Sequence, residues 1–241
     1  MAHRISRHFV VTFATAAFLI LASRGFQAQT AQTPAERIAA LKQNLAQSQK
    51  AVRQYEWIET TMISLKGEEK ARTQKRCYYG ADGKLVKIDM GDKAAASSGG
   101  GGGGRGGRMA ARVIENKKDD MKEYMAQATA LIQKYVPPNA EDMQKAKERM
   151  KVEPGADRVR LTFTDYLLPG DRMTIEVDPK SNQLMGLSVA SYIDKKEDTV
   201  TLGVAMGTLT GGITYTSETT LDAAAKNIRV VVENSGYKPV K

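Results

Sequence analysis

Histidine and cysteine are nearly absent from this 241-residue chain, and each shortage removes a class of chemistry. Cys77 stands alone, so no disulfide can form within the chain, and in an oxidising compartment the thiol is either buried or paired with another molecule. The two histidines, His3 and His8, both precede the one long apolar run, Phe9 to Ala22, so a chain cleaved after that run contains none. Such a chain has no histidine for catalysis or metal ligation, and Cys77 lacks the base partner of a catalytic thiol. Aromatic residues are also scarce, at 6% with a single Trp. The apolar run spans 14 residues, short of the ~20 that a membrane helix requires.

Around that run the residues follow the order of a secretory signal. Arg4 and Arg7 come first, the apolar stretch second, and the small residues Ser23, Gly25 and Ala28 third. Residues 1–28 are therefore expected to be a signal peptide, with an uncleaved anchor as the alternative, and the product to be exported and soluble in the periplasm or outside the cell. Losing residues 1–28 removes Arg4, Arg7 and Arg24 and no acid, which lowers the net charge from +9 to +6. The remaining lysines are interspersed with glutamates, so a solvated face is expected rather than a nucleic-acid groove.

Residues 29–241 read as a single α+β domain. Thr33-Pro34-Ala35-Glu36 forms a capping box, and Ile38, Leu41, Leu45, Val52 and Tyr55 lay an apolar stripe along a helix over about 34–55. Alternation then takes over, with Trp57, Thr61, Ile63 and Leu65 on one side of a strand. Lys70 to Tyr79 and Lys84 to Met90 flank the turn Gly80-Ala81-Asp82-Gly83 as a hairpin. Residues 94–108 contain six consecutive glycines and no large apolar side chain, the composition of a flexible loop. A second helix is expected from Ile114 to Tyr135, stopped by Pro137-Pro138, and a third from Asn139 to about Lys151.

Beyond Pro154-Gly155 the pattern is almost all strand. Val159, Leu161 and Phe163, then Met173, Ile175 and Val177, then Leu187, Val189 and Ile193, then Val200, Leu202, Val204 and Met206 each alternate with polar or small neighbours. Ile213 to Leu221 and Lys226 to Glu233 complete six strands. The sum is a curved antiparallel sheet or unclosed β-barrel of about nine strands, with three helices packed on its concave face.

The chemical motifs have ordinary explanations. Gly99, Gly101 and Gly104 match a dinucleotide fingerprint only because any glycine run does, and no parallel βαβ unit surrounds them. Arg105-Gly106-Gly107-Arg108 offers two arginines without interleaved aromatics, too little for an RNA-binding segment. The carboxylates Glu59, Asp165, Asp171 and Glu176 show no pairing in their spacing, and Asp119-Asp120 lies in a lysine-rich helix. No catalytic residue, metal site or cofactor is expected. Trp57 reads as a core anchor or a ligand-stacking ring.

The run Tyr55-Glu56-Trp57-Ile58-Glu59 directly after a helix, the helices inserted after an early hairpin, the terminal meander and the hairpin Val177-Asp178-Pro179-Lys180-Ser181-Asn182-Gln183-Leu184 together resemble the periplasmic lipoprotein-carrier (LolA-like) superfamily over roughly residues 34–235. The chain is also similar to exported bacterial proteins with a comparable glycine-rich insertion. The resemblance implies an unclosed barrel lidded by helices whose apolar concavity holds acyl chains. Trp57, Leu161, Phe163, Ile175, Val189 and Val204 are the candidate ligand-binding residues, with Met109, Met121, Met125, Met143 and Met150 beside them as adaptable helix side chains. The expected partner is a lipid or lipoprotein, with peripheral contact to an envelope membrane and no nucleic acid; the oligomeric state is left open. The alternative is a structural or protein-interaction module of the envelope with a solid core and no ligand.

The mature N-terminus should fall between about Gly25 and Ala31 by mass spectrometry of exported protein. An intact Met1 terminus on cytoplasmic protein would overturn the signal assignment.

Overall fold

Ten antiparallel strands form one sheet in a computed structural model that describes residues 34–91 and 120–240. Helix α1 runs over Pro34–Val52 and feeds strands β1 (Tyr55–Leu65), β2 (Glu68–Tyr79) and β3 (Leu85–Asp89). Helix α2 follows over residues 120–132, then α3 (Ala140–Lys145) and a 3-10 turn at Lys147–Arg149. The remaining strands are β4 (Met150–Glu153), β5 (Val159–Thr164), β6 (Arg172–Val177), β7 (Leu184–Tyr192), β8 (Thr199–Leu209), β9 (Ile213–Ala223) and β10 (Ile228–Pro239). The signal segment 1–28, the Thr33 cap, the glycine-rich segment 94–108 and Met109 lie outside the described residues.

The spatial order is β3-β2-β1-β10-β9-β8-β7-β6-β5-β4, so two meanders meet where the first strand pairs with the last. Among the described residues the sheet keeps two edges, β3 and β4, as expected for a curved sheet or unclosed barrel. Lys66 and Gly67, with φ of 53° and 82°, make the two-residue turn between β1 and β2. Both left-handed residues match the right-handed twist of the flanking strands.

Two expectations about boundaries are corrected. The spacing predicts a third helix to about Lys151, yet it stops at Lys145, and Met150–Glu153 forms β4, a strand additional to the nine expected. Met150 pairs with Phe163 and Val152 with Leu161, so capping the open edge of β5 outweighs local helical preference. The alternation ends the last strand at Glu233. The strand continues to Pro239 along β1, passing the irregularity between Glu56 and Ile58 with Gly236 at φ 64°. Strand β9 does not follow it. Pairing of β9 with β10 stops at Glu218 and Glu233, and beyond that point side chains replace the ladder. Ser48 of α1 accepts from the Thr214 amide at 3.0 Å, and Asn234 donates to the Thr216 carbonyl at 3.0 Å.

The helices cover one face. Leu41 of α1, Ala128 and Ile132 of α2, and Tyr135 and Ala146 beyond α2 and α3 pack on the inward side chains of β5 to β8. A buried carboxylate fixes this contact. Asp171, 2% exposed, accepts from the amides of Tyr166, Leu167 and Leu168 and from the Tyr135 hydroxyl at 2.5 Å, while Tyr135 also contacts Ser191 at 2.8 Å. The turn after β5 and the chain leaving α2 are thereby tied to one charge whose lone pairs are filled, which is what makes its burial tolerable.

Burial, and then the hydrogen bond to Asp171, raise the Tyr135 phenol above its ordinary value; burial does the same to Tyr166. A group with a raised folded pKa contributes stability that is fully present below its unfolded pKa, about 10 for tyrosine, and lost as pH rises beyond it. The urea midpoint should therefore fall above pH ~10, and Tyr135→Phe should make that fall shallower. The same substitution should cost about 1.5–3 kcal/mol at neutral pH, since it removes a hydrogen bond to a buried carboxylate. An unchanged alkaline slope would contradict this assignment.

Candidate functional site

The candidate ligand-binding residues fall into two groups. Leu161 and Phe163 of β5, Ile175 of β6 and Val189 of β7 are brought together, each at most 3% exposed, in the cluster sealed by the helices. Val204 of β8 points to the same side, against the edge of that cluster, and is half-buried. Trp57 is not with them. It lies on β1, on the other side of β9 and β10.

Between these groups the helix-covered face opens gradually. Leu202, Leu221, Val230 and Ile63 form one row across β8, β9, β10 and β1, linked pair by pair in the register. Leu202 is 6% exposed, Leu221 and Val230 are half-buried, and Ile63 is 39% exposed. A parallel row joins Val204, Thr219, Val232 and Thr61, all half-buried. At one end, Met121, Tyr124 and Met125 of α2 pack with Leu65, Ile228 and Val230. The Tyr124 hydroxyl donates to Asp198, and Lys226 stands 5.4 Å over the Tyr124 ring. The β1 alternation placed Ile63 on the Trp57 side; its exposure was not legible, because burial depends on where α1 and α2 stop.

Aromatic rings close the other end. Trp57 stacks on Tyr237 at 5.5 Å and 11°, Tyr237 meets Tyr215 at 4.3 Å, and Tyr79 lies 6.0 Å from Trp57. The Trp57 indole N–H donates to Asn234 Oδ1 at 3.0 Å, so one carboxamide holds the indole and the diverging β9 together. Arg53 lies 5.5 Å over the Tyr79 ring. Burial, then the neighbouring Tyr215 phenol, push Tyr237 well above its ordinary range. Cys77 is fully buried opposite Trp57. Burial and then the Glu59 carboxylate raise its thiol pKa, the opposite of what thiolate chemistry requires. Glu59 interrupts the apolar side of β1 but is paired with Lys87 at 2.6 Å. Asn234 and Tyr237 lie beyond the Glu233 end expected for the last strand, and Tyr215, inside the expected Ile213 to Leu221 strand, joins them only through the pairing of β1 with β10.

The opposite face of β4 to β9 is polar, with shallow grooves lined by Arg160, Thr174, Ser188, Thr201 and Thr220. Arg158 and Arg160 both bind Glu176 at 2.7 Å, which accounts for that carboxylate. Asp165 accepts from the Gly170 amide at 2.6 Å. Among the described residues no cluster of His, Cys, Asp and Glu could hold a metal, and no helix is long and apolar enough to cross a membrane.

No family model matches the chain, and no curated protein does. Two solved structures are similar to it. One is a LolA superfamily protein from Nitrosomonas europaea, at 9% identity and a TM-score of 0.35, covering 83% of this chain and 94% of that one. The other is a DUF1329 family protein from Desulfovibrio piger, at 10% identity and a TM-score of 0.36, covering 83% and 93%.

Proposed function

We propose that the protein is a non-enzymatic envelope protein that holds a lipid, a lipoprotein acyl group or another apolar ligand on the helix-covered face. The observation that carries this reading is the gradient from Leu202, 6% exposed, to Ile63, 39% exposed, on the covered side of inner strands. Apolar surface in that position gains roughly 25 cal/mol for each Å² that a ligand removes from water. Thr61, Ile63, Val230 and Val232 form its floor, Trp57 and Tyr237 its aromatic end, and Met121 and Met125 its adaptable flank. Leu161, Phe163, Ile175 and Val189 support that floor from the sealed side, and Val204 stands at the boundary. Export rests on Arg4, Arg7 and the short apolar run, and peripheral contact with an envelope membrane belongs to the same reading.

A second reading, an envelope interaction module with a solid core, is favoured by the tight burial of Leu161, Phe163, Ile175 and Val189. Titration of delipidated protein with a fluorescent fatty acid separates the two. Saturable binding is expected, weakened at least tenfold by Val204→Phe with little change in melting temperature. Val189→Phe should instead overpack the sealed core and destabilise it by ~1–3 kcal/mol. Absence of saturable binding by the unaltered protein would overturn the carrier reading and leave the interaction module.

A further inference from the structure

Among the described residues strand β3 is an edge of the sheet, and Leu85 and Ile88 in it and Met90 just after it are exposed at 42%, 42% and 53%. The hydrogen-bond phase of the β2–β3 hairpin fixes which backbone groups are free. The Met90 amide donates to Gln74 and the Gly80 amide to the Lys84 carbonyl, each at 2.9 Å. By the alternation of antiparallel ladders, Val86 and Ile88 also turn their backbone groups to β2, and Leu85, Lys87 and Asp89 present theirs to the open edge. The opposite edge is guarded differently. Strand β4 has four residues, and Lys151 and Glu153 flank Val152 as an ion pair at 2.8 Å.

We infer that β3 pairs with β3 of a second copy of this chain, antiparallel and two-fold about Ile88. The sequence of the strand is complementary to itself in that register and in no neighbouring one. With Ile88 on the axis, Lys87 stands opposite Asp89 of the second copy, and Val86 opposite its Met90. Asp89, 75% exposed in its side chain, lies 3.5 Å from Lys75 of its own chain, and Lys87 lies 2.6 Å from Glu59, so the cross-chain contact extends these ion pairs into one alternating row. Val86, Ile88 and Met90 then form one apolar strip with their counterparts. Centring on Lys87 would place two lysines directly opposite each other, which is destabilising. Gly91, at φ 91°, turns the chain after Met90 and limits the ladder to this stretch. A ladder this short buries well under the roughly 1,000 Å² of a stable interface, so the dimer is weak and depends on concentration.

The register makes a sharp test. Ile88 and its counterpart form a non-hydrogen-bonded pair with Cα atoms about 4.5 Å apart, within the range of a disulfide. In the full mature chain, Ile88→Cys should therefore cross-link under mild oxidation at least tenfold faster than Val86→Cys, whose counterpart lies four residues further along the ladder. Cys77 is fully buried and does not compete. Sedimentation of the unaltered protein should show mass rising toward two chains with concentration, and Ile88→Lys should weaken that association at least tenfold while melting normally. Equal cross-linking by the two cysteine variants, or none by either, would overturn the proposal, as would identical sedimentation of Ile88→Lys and the unaltered protein.

Discussion

The ladder between β1 and β10 is the contact on which the rest of the structure depends. It pairs residues 55–65 with residues 228–239 and converts two separate meanders into one ten-stranded sheet. A three-stranded sheet with one helix has little apolar surface to bury, whereas joined to the larger meander it extends the face on which α2 packs. Its sequence separation is nearly the length of the domain, so the ladder forms only after the last strand exists, and such non-local pairing slows folding.

The same ladder explains why the two halves of the covered face differ. From β5 to β8 the helices sit directly on the inward side chains, and Asp171 fixes their height above the sheet through Tyr135. Towards β1, β10 leaves β9 to follow β1, and α1 bridges the gap through the hydrogen bond from the Thr214 amide to Ser48. Trp57 and Asn234 secure that divergence, leaving Ile63 and Val230 under incomplete cover. A sealed half that supplies stability and an open half that supplies surface is the physical basis of the proposed binding.

Much of this was legible from the residues. The alternation at Val159–Phe163 and Met173–Val177 identified the inward faces of β5 and β6. The stripe through Leu41 and Leu45 identified the side of α1 that packs on them. What escaped depended on distant partners. Strand β4 is four residues with no clear period, held by β5; the end of β10 contains Asn, Ser and Gly and is held by β1. The Asp171 knot gathers a carboxylate, three amides and a phenol from two segments, and local spacing carries no sign of it. For the site, sequence supplied the apolar face, but the boundary between its sealed and open parts is a property of helix placement. Trp57, legible as an anchor or a ligand-stacking ring, is 7% exposed and stacks on Tyr237, a partner its own strand does not reveal.

Mass spectrometry of lipids retained by protein purified from its native envelope tests the central claim most directly. Acyl-bearing molecules should co-purify in near-stoichiometric amount and be lost on delipidation. Protein that carries no such molecule, purified without detergent from an envelope rich in them, would contradict it.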